Sequence, residues 1–324
     1  MKRLILSGMV TLAVVASLFA GGGAESASSV ASYPIDIVVT TGMVGDIVSQ
    51  VVGSNGSVFV LMGDEIDPHL FRPTRTDIAR MQQADIIFYN GLNLEGQMSD
   101  TLVQLARTRP VYAVTELIEE STLLDDGEYE GAFDPHLWMD VSLWIEAVEV
   151  VVAALTDFDP AAADFYRRNG EVYRAELAEL DTYVRTVLSS IPEERRILVT
   201  AHDAFGYLGS AYGIEVVGVQ GISTESEAGL EDINSLVSLI VENGISAIFA
   251  ETTVADRALL AVIEGAADRG HRVEIGGKLF SDAMGPGGSY EGTYIGMLDH
   301  NATTVARALG GTAPARGLRG RLAE

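Results

Sequence analysis

Short apolar runs alternate with longer amphipathic stretches in the first half of the chain. Four apolar runs predict strands, at residues 35–40, 58–62, 85–89 and 111–114. Three periodic stretches between them predict helices, at 43–52, 74–83 and 98–107. Thr74 or Thr76 is a suitable N-cap for the second helix. This alternation is typical of parallel β/α units rather than of a β-sandwich.

A long helical pattern without strong breakers follows, from residue 160 to residue 190. Its apolar positions recur at intervals of three, four or seven, and Gly170 is its one interruption. Thirty residues of helix span roughly 45 Å, so this segment could join two lobes as a rigid spine. The alternation then resumes, with strands predicted at 197–200, 216–219, 247–250 and 271–275 and helices at 205–212, 230–242 and 257–269.

The pattern therefore predicts an α/β protein with two lobes, each built on a mostly parallel sheet flanked by helices. The predicted boundaries are 33–159 for the N-terminal lobe, 160–191 for the linking helix and 192–311 for the C-terminal lobe. An acidic stretch at 119–131 is predicted to be a loop, and residues 312–324 a loose tail. The length of 324 residues is sufficient for two medium-sized domains.

The N-terminus has the layout of a secretory signal. Lys2 and Arg3 precede an apolar stretch at 4–19 and then a run of small residues, so residues 1–24 are predicted to be a signal peptide or a signal anchor. We therefore expect an exported, periplasmic or extracytoplasmic protein, associated with the membrane only if the signal is not cleaved. The chain contains no cysteine, which predicts that it is not lipidated.

Charge narrows the choice of partners. The chain carries 21 Lys+Arg against 46 Asp+Glu, a formal net charge of -25. Such a surface repels phosphate backbones, which argues against nucleic acid as a partner. Diffuse negative charge attracts cations only weakly and is mainly a source of solubility.

Three of the five histidines stand in contexts that suggest a specific metal site. His69 and His136 end two copies of the tripeptide Asp-Pro-His, and His202 follows an apolar run. Without cysteine, nitrogen and oxygen are the good ligand atoms available, and neutral imidazole is a common ligand for divalent transition metals. His69, His202 and Asp282 each follow a predicted strand, where ligand groups gather in open α/β sheets.

Five ordered motifs resemble the zinc/manganese-binding solute receptors of ABC importers, the metal-binding lipoprotein or adhesin family. They are Asp67-Pro-His69, Asp134-Pro-His-Leu-Trp-Met-Asp140, Thr200-Ala-His-Asp-Ala-Phe-Gly-Tyr207, Gln220-Gly-Ile-Ser-Thr224 and Leu279-Phe-Ser-Asp-Ala-Met-Gly285. The last motif continues into Glu291-Gly-Thr-Tyr-Ile-Gly-Met297, which resembles members with a three-His, one-Asp site. The resemblance extends over residues 35–308.

The resemblance implies a monomeric receptor that captures zinc or manganese, or iron, and delivers it to a membrane permease. It implies one ion per chain at the lobe interface, bound by His69, His136, His202 and Asp282. Two departures from the patterns of the family leave the choice of metal open. Manganese-dedicated members typically have a glutamate where this chain has His202. The 119–131 loop lacks the histidines of many zinc-dedicated members.

Two other functions fit the sequence less well. A secreted zinc metallohydrolase would keep an open coordination position, whereas a fourth protein ligand fills it here, and the chain has no His-Glu-x-x-His helix. A surface adhesin is suggested only by names in the family.

Residues near the candidate ligands have structural alternatives. Asp67 and Asp134 could orient ligand imidazoles or serve turns, and Glu251 could contact the site. Trp138 is expected to pack between lobes. His271 and His300 have no comparable context, and His271 is expected to face solvent.

Overall fold

Two four-stranded parallel sheets, one in each half of the chain, form the framework of the protein. The computed structural model describes residues 32–127 and 131–323. The first sheet has the order β2-β1-β3-β4 and the second the order β6-β5-β7-β8. The strands are β1 Ile35–Val39, β2 Gly56–Val60, β3 Ile86–Tyr89, β4 Val111–Ala113, β5 Ile197–His202, β6 Glu215–Gln220, β7 Ala247–Glu251 and β8 Glu274–Leu279.

Helices flank both sheets. They are α1 Gly42–Val52, α2 Arg75–Gln83, α3 Ser99–Leu105, α4 Val141–Phe158, α5 Ala163–Ser189, α6 Gly206–Tyr212, α7 Leu230–Asn243, α8 Arg257–Asp268 and α9 Tyr294–Ala308. We call the first sheet with α1–α4 the N-lobe and the second sheet with α6–α9 the C-lobe. The inner strands β1, β3 and β7 are almost wholly buried, as expected for parallel strands covered on both faces.

The sheet orders fix where a ligand can bind. In each sheet the chain leaves a central strand, forms a neighbour on one side and then crosses to the other side. This crossover creates a crevice beyond the carboxyl ends of β1 and β3 in the N-lobe, and of β5 and β7 in the C-lobe. Both sheets belong to one compact unit.

The long linking helix is confirmed as a single element, α5, of 27 residues. It begins after a 3-10 turn at Pro160–Ala162, three residues later than predicted. Its buried face carries Tyr166, Tyr173, Leu177, Leu180 and Val184, which recur at helical spacing. Because α5 packs against α1 and α4 of the N-lobe and against α9 of the C-lobe, it supports both sheets along its length.

Three of the sequence expectations about the C-lobe are wrong. Strand β5 continues to His202 rather than ending at residue 200. The last strand is Glu274–Leu279 rather than 271–275, and the expected Gly276-Gly277 turn lies inside it. A Cβ atom at Gly277 would lie 2.3 Å from Cγ2 of Thr304, so glycine there allows α9 to pack directly on the strand.

The third wrong expectation concerns the C-terminal segment. Residues 312–323 are packed rather than forming the predicted loose tail. The Leu318 amide donates to both carboxylate oxygens of Asp299, at 2.9 and 2.8 Å, and the Leu318 and Leu322 side chains are buried. Leu318 and Leu322, four residues apart, are the sequence feature that indicates this packing. The glycines and arginines around them make the segment resemble a loop.

Helix α4 was not predicted. Its valine-rich sequence has strong β propensity, yet Asp140 caps it by accepting from the amides of Ser142 and Leu143. Within the described residues no helix is long and apolar enough to cross a membrane. The predicted signal at 1–24 lies outside the described residues.

Helices α4 and α5 approach each other closely at Gly170, because a Cβ atom there would lie 2.5 Å from Cγ2 of Val152. Gly170→Ala gains about 1 kcal/mol in helix propensity but costs about 1–3 kcal/mol by overpacking a stiff valine. We therefore expect lower stability in urea unfolding. In a Val152→Ala background the same change should be neutral or stabilising. An equal change in stability on Gly170→Ala in both backgrounds would show that the contact with Val152 does not determine the effect of a side chain at residue 170.

Candidate metal centre

Two identical turns present the N-lobe histidines. The Asp67 carboxylate accepts a hydrogen bond from the His69 amide at 2.9 Å, and Asp134 accepts one from the His136 amide at 2.9 Å. Each aspartate thus closes a turn over the intervening proline, whose ring also restricts the backbone. The repeated Asp-Pro-His tripeptide therefore forms the same amide-to-carboxylate hydrogen bond in both loops.

The C-lobe residues come from the carboxyl ends of strands. His202 is the last residue of β5, and its amide donates to Oε1 of Glu251 at the end of β7, at 2.8 Å. Asp282 lies three residues after β8. The preceding residue is held from across the lobe interface, because the Trp138 indole donates to the Ser281 carbonyl at 2.9 Å.

The four candidate ligands converge on one point. His69, His136, His202 and Asp282 each offer a ligand atom, and these atoms lie within 4.8 Å of one another. Nε2 of His136 is 3.3 Å from Nε2 of His69 and 3.3 Å from Oδ1 of Asp282, while Nε2 of His202 is 3.2 Å from Oδ2 of Asp282. Bonds of about 2.0–2.1 Å to a tetrahedral ion separate ligand atoms by roughly 3.3 Å. These three distances therefore suit bonds to one shared ion, while Nε2 of His69 lies farther from Asp282, at 3.9 Å from its Oδ2.

Burial makes this arrangement costly without a cation. His69 is 6% exposed and the other three residues at most 2%. Neither carboxylate oxygen of Asp282 has a partner with hydrogen-bond geometry among the described residues, nor does Nε2 of His202. Buried charged groups in proteins are paired or coordinate metals. The donor set, three imidazoles and one carboxylate, fits a borderline divalent ion such as zinc.

Two more carboxylates face the outer nitrogens of the ligand imidazoles. Oδ1 of Asp134 lies 2.7 Å from Nδ1 of His136, and Oε2 of Glu251 lies 2.5 Å from Nδ1 of His202. Such partners fix the ring orientation and leave Nε2 pointing to the shared centre. Glu251 therefore does contact the site, through His202, and Asp134 serves both its turn and its imidazole.

These carboxylates also control protonation in the metal-free protein. Burial alone would lower the pKa of His136, but Asp134 and Asp282 raise it to about 9. Glu251 and Asp282 likewise overcome burial and raise the pKa of His202 well above its usual value. The two imidazoles in turn hold the pKa of Asp282 far below its ordinary value despite its burial. Burial lowers the pKa of His69 to about 4, so this imidazole is neutral at pH 7.

The remaining histidines have separate structural partners. Nε2 of His271 is 2.6 Å from the Ile245 carbonyl in a partly buried position, so the expectation that His271 faces solvent is wrong. Nε2 of His300 is 3.0 Å from the Lys278 carbonyl. Trp138 packs between the lobes as expected, since Tyr294 of the C-lobe also donates to its carbonyl at 2.7 Å.

Comparisons with known proteins agree with this fold and this cluster. The model of the family described as zinc-uptake complex component A periplasmic (ZnuA) matches residues 37–308. The chain belongs to this family of metal-binding substrate-binding proteins. It is 42% identical over 299 residues to the manganese-binding lipoprotein MntA of Bacillus subtilis (strain 168), covering 92% of this chain and 97% of MntA.

Two further relatives bind other metals according to their names. The zinc-binding protein TroA of Treponema pallidum (strain Nichols) is 43% identical over 273 residues, covering 84% of this chain and 88% of TroA. A solved structure of the periplasmic zinc-binding protein TroA from Treponema pallidum has a TM-score of 0.83, covering 86% of this chain and 99% of TroA. The iron-binding protein YfeA of Yersinia pestis is 29% identical over 305 residues, covering 94% of this chain and 96% of YfeA.

Metal binding at pH 7 should release about two protons, because the ion must displace one each from His136 and His202. As pH rises through about 9 the His136 proton is already absent. Affinity should therefore increase, and proton release decline, over that range. Calorimetry in buffers of different ionisation enthalpy measures the release. Asp134→Asn should reduce the number of protons released at pH 7, since His136 then loses its main carboxylate partner. Metal uptake without proton release would contradict this charge balance.

Proposed function

We propose that this protein is an extracytoplasmic receptor that captures one divalent transition-metal ion and delivers it to an ABC-type membrane permease. The proposed ligands are His69, His136, His202 and Asp282. The observation that carries the proposal is their convergence, from both lobes, on a single buried centre. Membership of a family of transport receptors supports the same function.

Catalysis is a weaker interpretation of the same residues. Catalytic zinc usually keeps a position open for water or substrate and has a nearby general base. Here four protein atoms surround the centre, and the nearest additional carboxylates, Asp134 and Glu251, face the outer sides of the ligand imidazoles. We therefore propose that the metal is cargo and that the protein is not an enzyme. The adhesin alternative has no support from a residue of this site.

The metal we propose is zinc or manganese, with iron as a further candidate. Relatives of nearly equal similarity are named for manganese and for zinc, so likeness alone does not select one. Chemistry favours zinc in vitro, because affinity for nitrogen-rich sites rises from manganese towards zinc. Metal availability decides what the protein carries in a cell.

We further propose that the receptor works outside the cytoplasm, as a monomer and without nucleic acid. The relative MntA is named a lipoprotein, whereas this chain has no cysteine for lipid attachment. The lack of a lipid therefore remains a prediction, which mass measurement of the protein purified from membranes and from the soluble extract can test. The net charge of -25 supports the lack of nucleic-acid binding.

Asp282→Ala should abolish stoichiometric metal binding, because it removes the one anionic ligand among the four candidates. Elemental analysis after gel filtration should give about one zinc per chain for the wild type and almost none for the variant. Asp64→Ala, which alters an exposed carboxylate outside the cluster, is the matched control. Hydrolytic turnover by the wild type that the variant loses would favour the metallohydrolase.

Zinc should bind this site more tightly than manganese and displace it at equal concentration, as the general stability order predicts for three imidazoles and one carboxylate. Competitive titration with both ions at pH 7.5 measures the ratio. His202→Glu should reduce the ratio of zinc affinity to manganese affinity, because a harder oxygen ligand replaces a nitrogen ligand. Manganese displacing zinc at equal concentration would mean that the geometry, rather than the donor set, selects the ion.

A further inference from the structure

Several polar contacts cross between the lobes near the metal centre, and three of them join side chains or loops that are exposed or half-buried. Thr224 of the C-lobe donates to Oδ2 of Asp67 at 2.6 Å, and the Gly287 amide donates to Oδ2 of Asp64 at 2.9 Å. The third joins the side chains of Gln97 and Glu225. The first two contacts both end on the N-lobe loop that carries His69, but only one of them is connected to a candidate ligand.

Asp67 is that connection. Its two carboxylate oxygens have different partners: Oδ1 accepts from the His69 amide at 2.9 Å, and Oδ2 accepts from the Thr224 hydroxyl. One side chain therefore holds the backbone of a candidate ligand in the N-lobe and a loop of the C-lobe at once. Hydrogen bonds to an ionised carboxylate are stronger than those between neutral groups.

The Thr224 loop also borders the side of the site that is open to solvent. A cavity of about 280 Å³ is lined by His69 and Pro135 of the N-lobe and by Ile222, Ser223 and Glu225 of the C-lobe. His69 is the most exposed of the four candidate ligands, at 6% against at most 2% for the others. An ion that enters or leaves through this cavity passes His69 first, and the residues on both sides of Thr224 form part of the cavity wall.

We infer that Thr224 is a positioning residue for metal retention, acting on His69 through Asp67. This inference rests on the proposed metal site. With the lobes together, the Thr224 hydroxyl fixes the Asp67 carboxylate, which holds the His69 turn in place and the passage narrow. When the lobes separate at this point, Asp67 loses one partner and the His69 turn gains freedom. Interlobe contact and ligand geometry are thereby coupled, so that a permease pulling the lobes apart would loosen the exposed ligand.

The test measures release of zinc to an excess of chelator by stopped flow, using the full chain loaded with zinc. Thr224→Val keeps the shape of the side chain but removes the hydroxyl, and should accelerate release about ten-fold, as expected for loss of a hydrogen bond to a charged group. Thr224→Ser restores the hydroxyl and should release zinc within two-fold of the wild-type rate. The metal-free Thr224→Val protein should remain folded and unfold cooperatively in urea, with a midpoint lowered by no more than the loss of this one hydrogen bond.

Asp64→Ala is the matched control, since it removes an interlobe hydrogen bond from the same N-lobe loop without touching the His69 turn. It should leave the release rate within two-fold of wild type. An acceleration equal to that of Thr224→Val would mean that general loosening of the lobes, rather than positioning of His69, controls release, and would overturn the inference.

A double-mutant cycle tests the route through Asp67. In an Asp67→Ala background, Thr224→Val should cause no further acceleration, because its partner is already absent. A further ten-fold increase would overturn the route. The failure of this inference differs from the failure of the proposed function. If the wild-type protein holds no zinc, the proposed function is wrong. If the wild type holds zinc and Thr224→Val releases zinc at the same rate, only this inference is wrong.

Discussion

The structure depends on a buried carboxylate, Asp282, whose neighbours at the site are the imidazole nitrogens of three histidines. Both oxygens of Asp282 are shielded from water and have no partner of hydrogen-bond geometry among the described residues, so a positive charge must balance them. In the metal-free protein the imidazolium forms of His136 and His202 supply that charge. A divalent ion carries the same total charge as the two protons that it replaces, so metal binding leaves the net charge of the buried site unchanged.

The four candidate ligands are divided between the two lobes, so an ion bound to all of them links the lobes. His69 and His136 belong to loops of the N-lobe, and His202 and Asp282 follow strands of the C-lobe. Helix α5 packs against both lobes along one continuous element, so wide hinge motion would require breaking that packing. An ion is then held or released through small movements at the loops, where Thr224 contacts Asp67 and Gly287 contacts Asp64.

Much of this could be predicted from the sequence, for identifiable reasons. The Asp-Pro-His repeats and the position of His202 after an apolar run are local signals, and the motif order supplied Asp282. Periodicity predicted α5 as one helix because few residues interrupt it. By contrast, α4 was missed because its valines favour strands in isolation, and only the Asp140 cap and tertiary packing make it helical. The misplaced β8 has a similar cause: Gly276-Gly277 signals a turn locally, whereas close packing of α9 requires glycine within a strand. No local pattern revealed that Thr224 meets Asp67, since that contact joins residues far apart in the chain.

The central claim is that three imidazoles and one carboxylate from two lobes surround a single ion. X-ray absorption at the zinc K-edge on the loaded protein tests it most directly, because the spectrum reports ligand number, distance and imidazole count together. Our account predicts four nitrogen or oxygen ligands at about 2.0–2.1 Å, with the multiple scattering of three imidazoles. A six-coordinate oxygen shell, or fewer than three imidazoles, would contradict it.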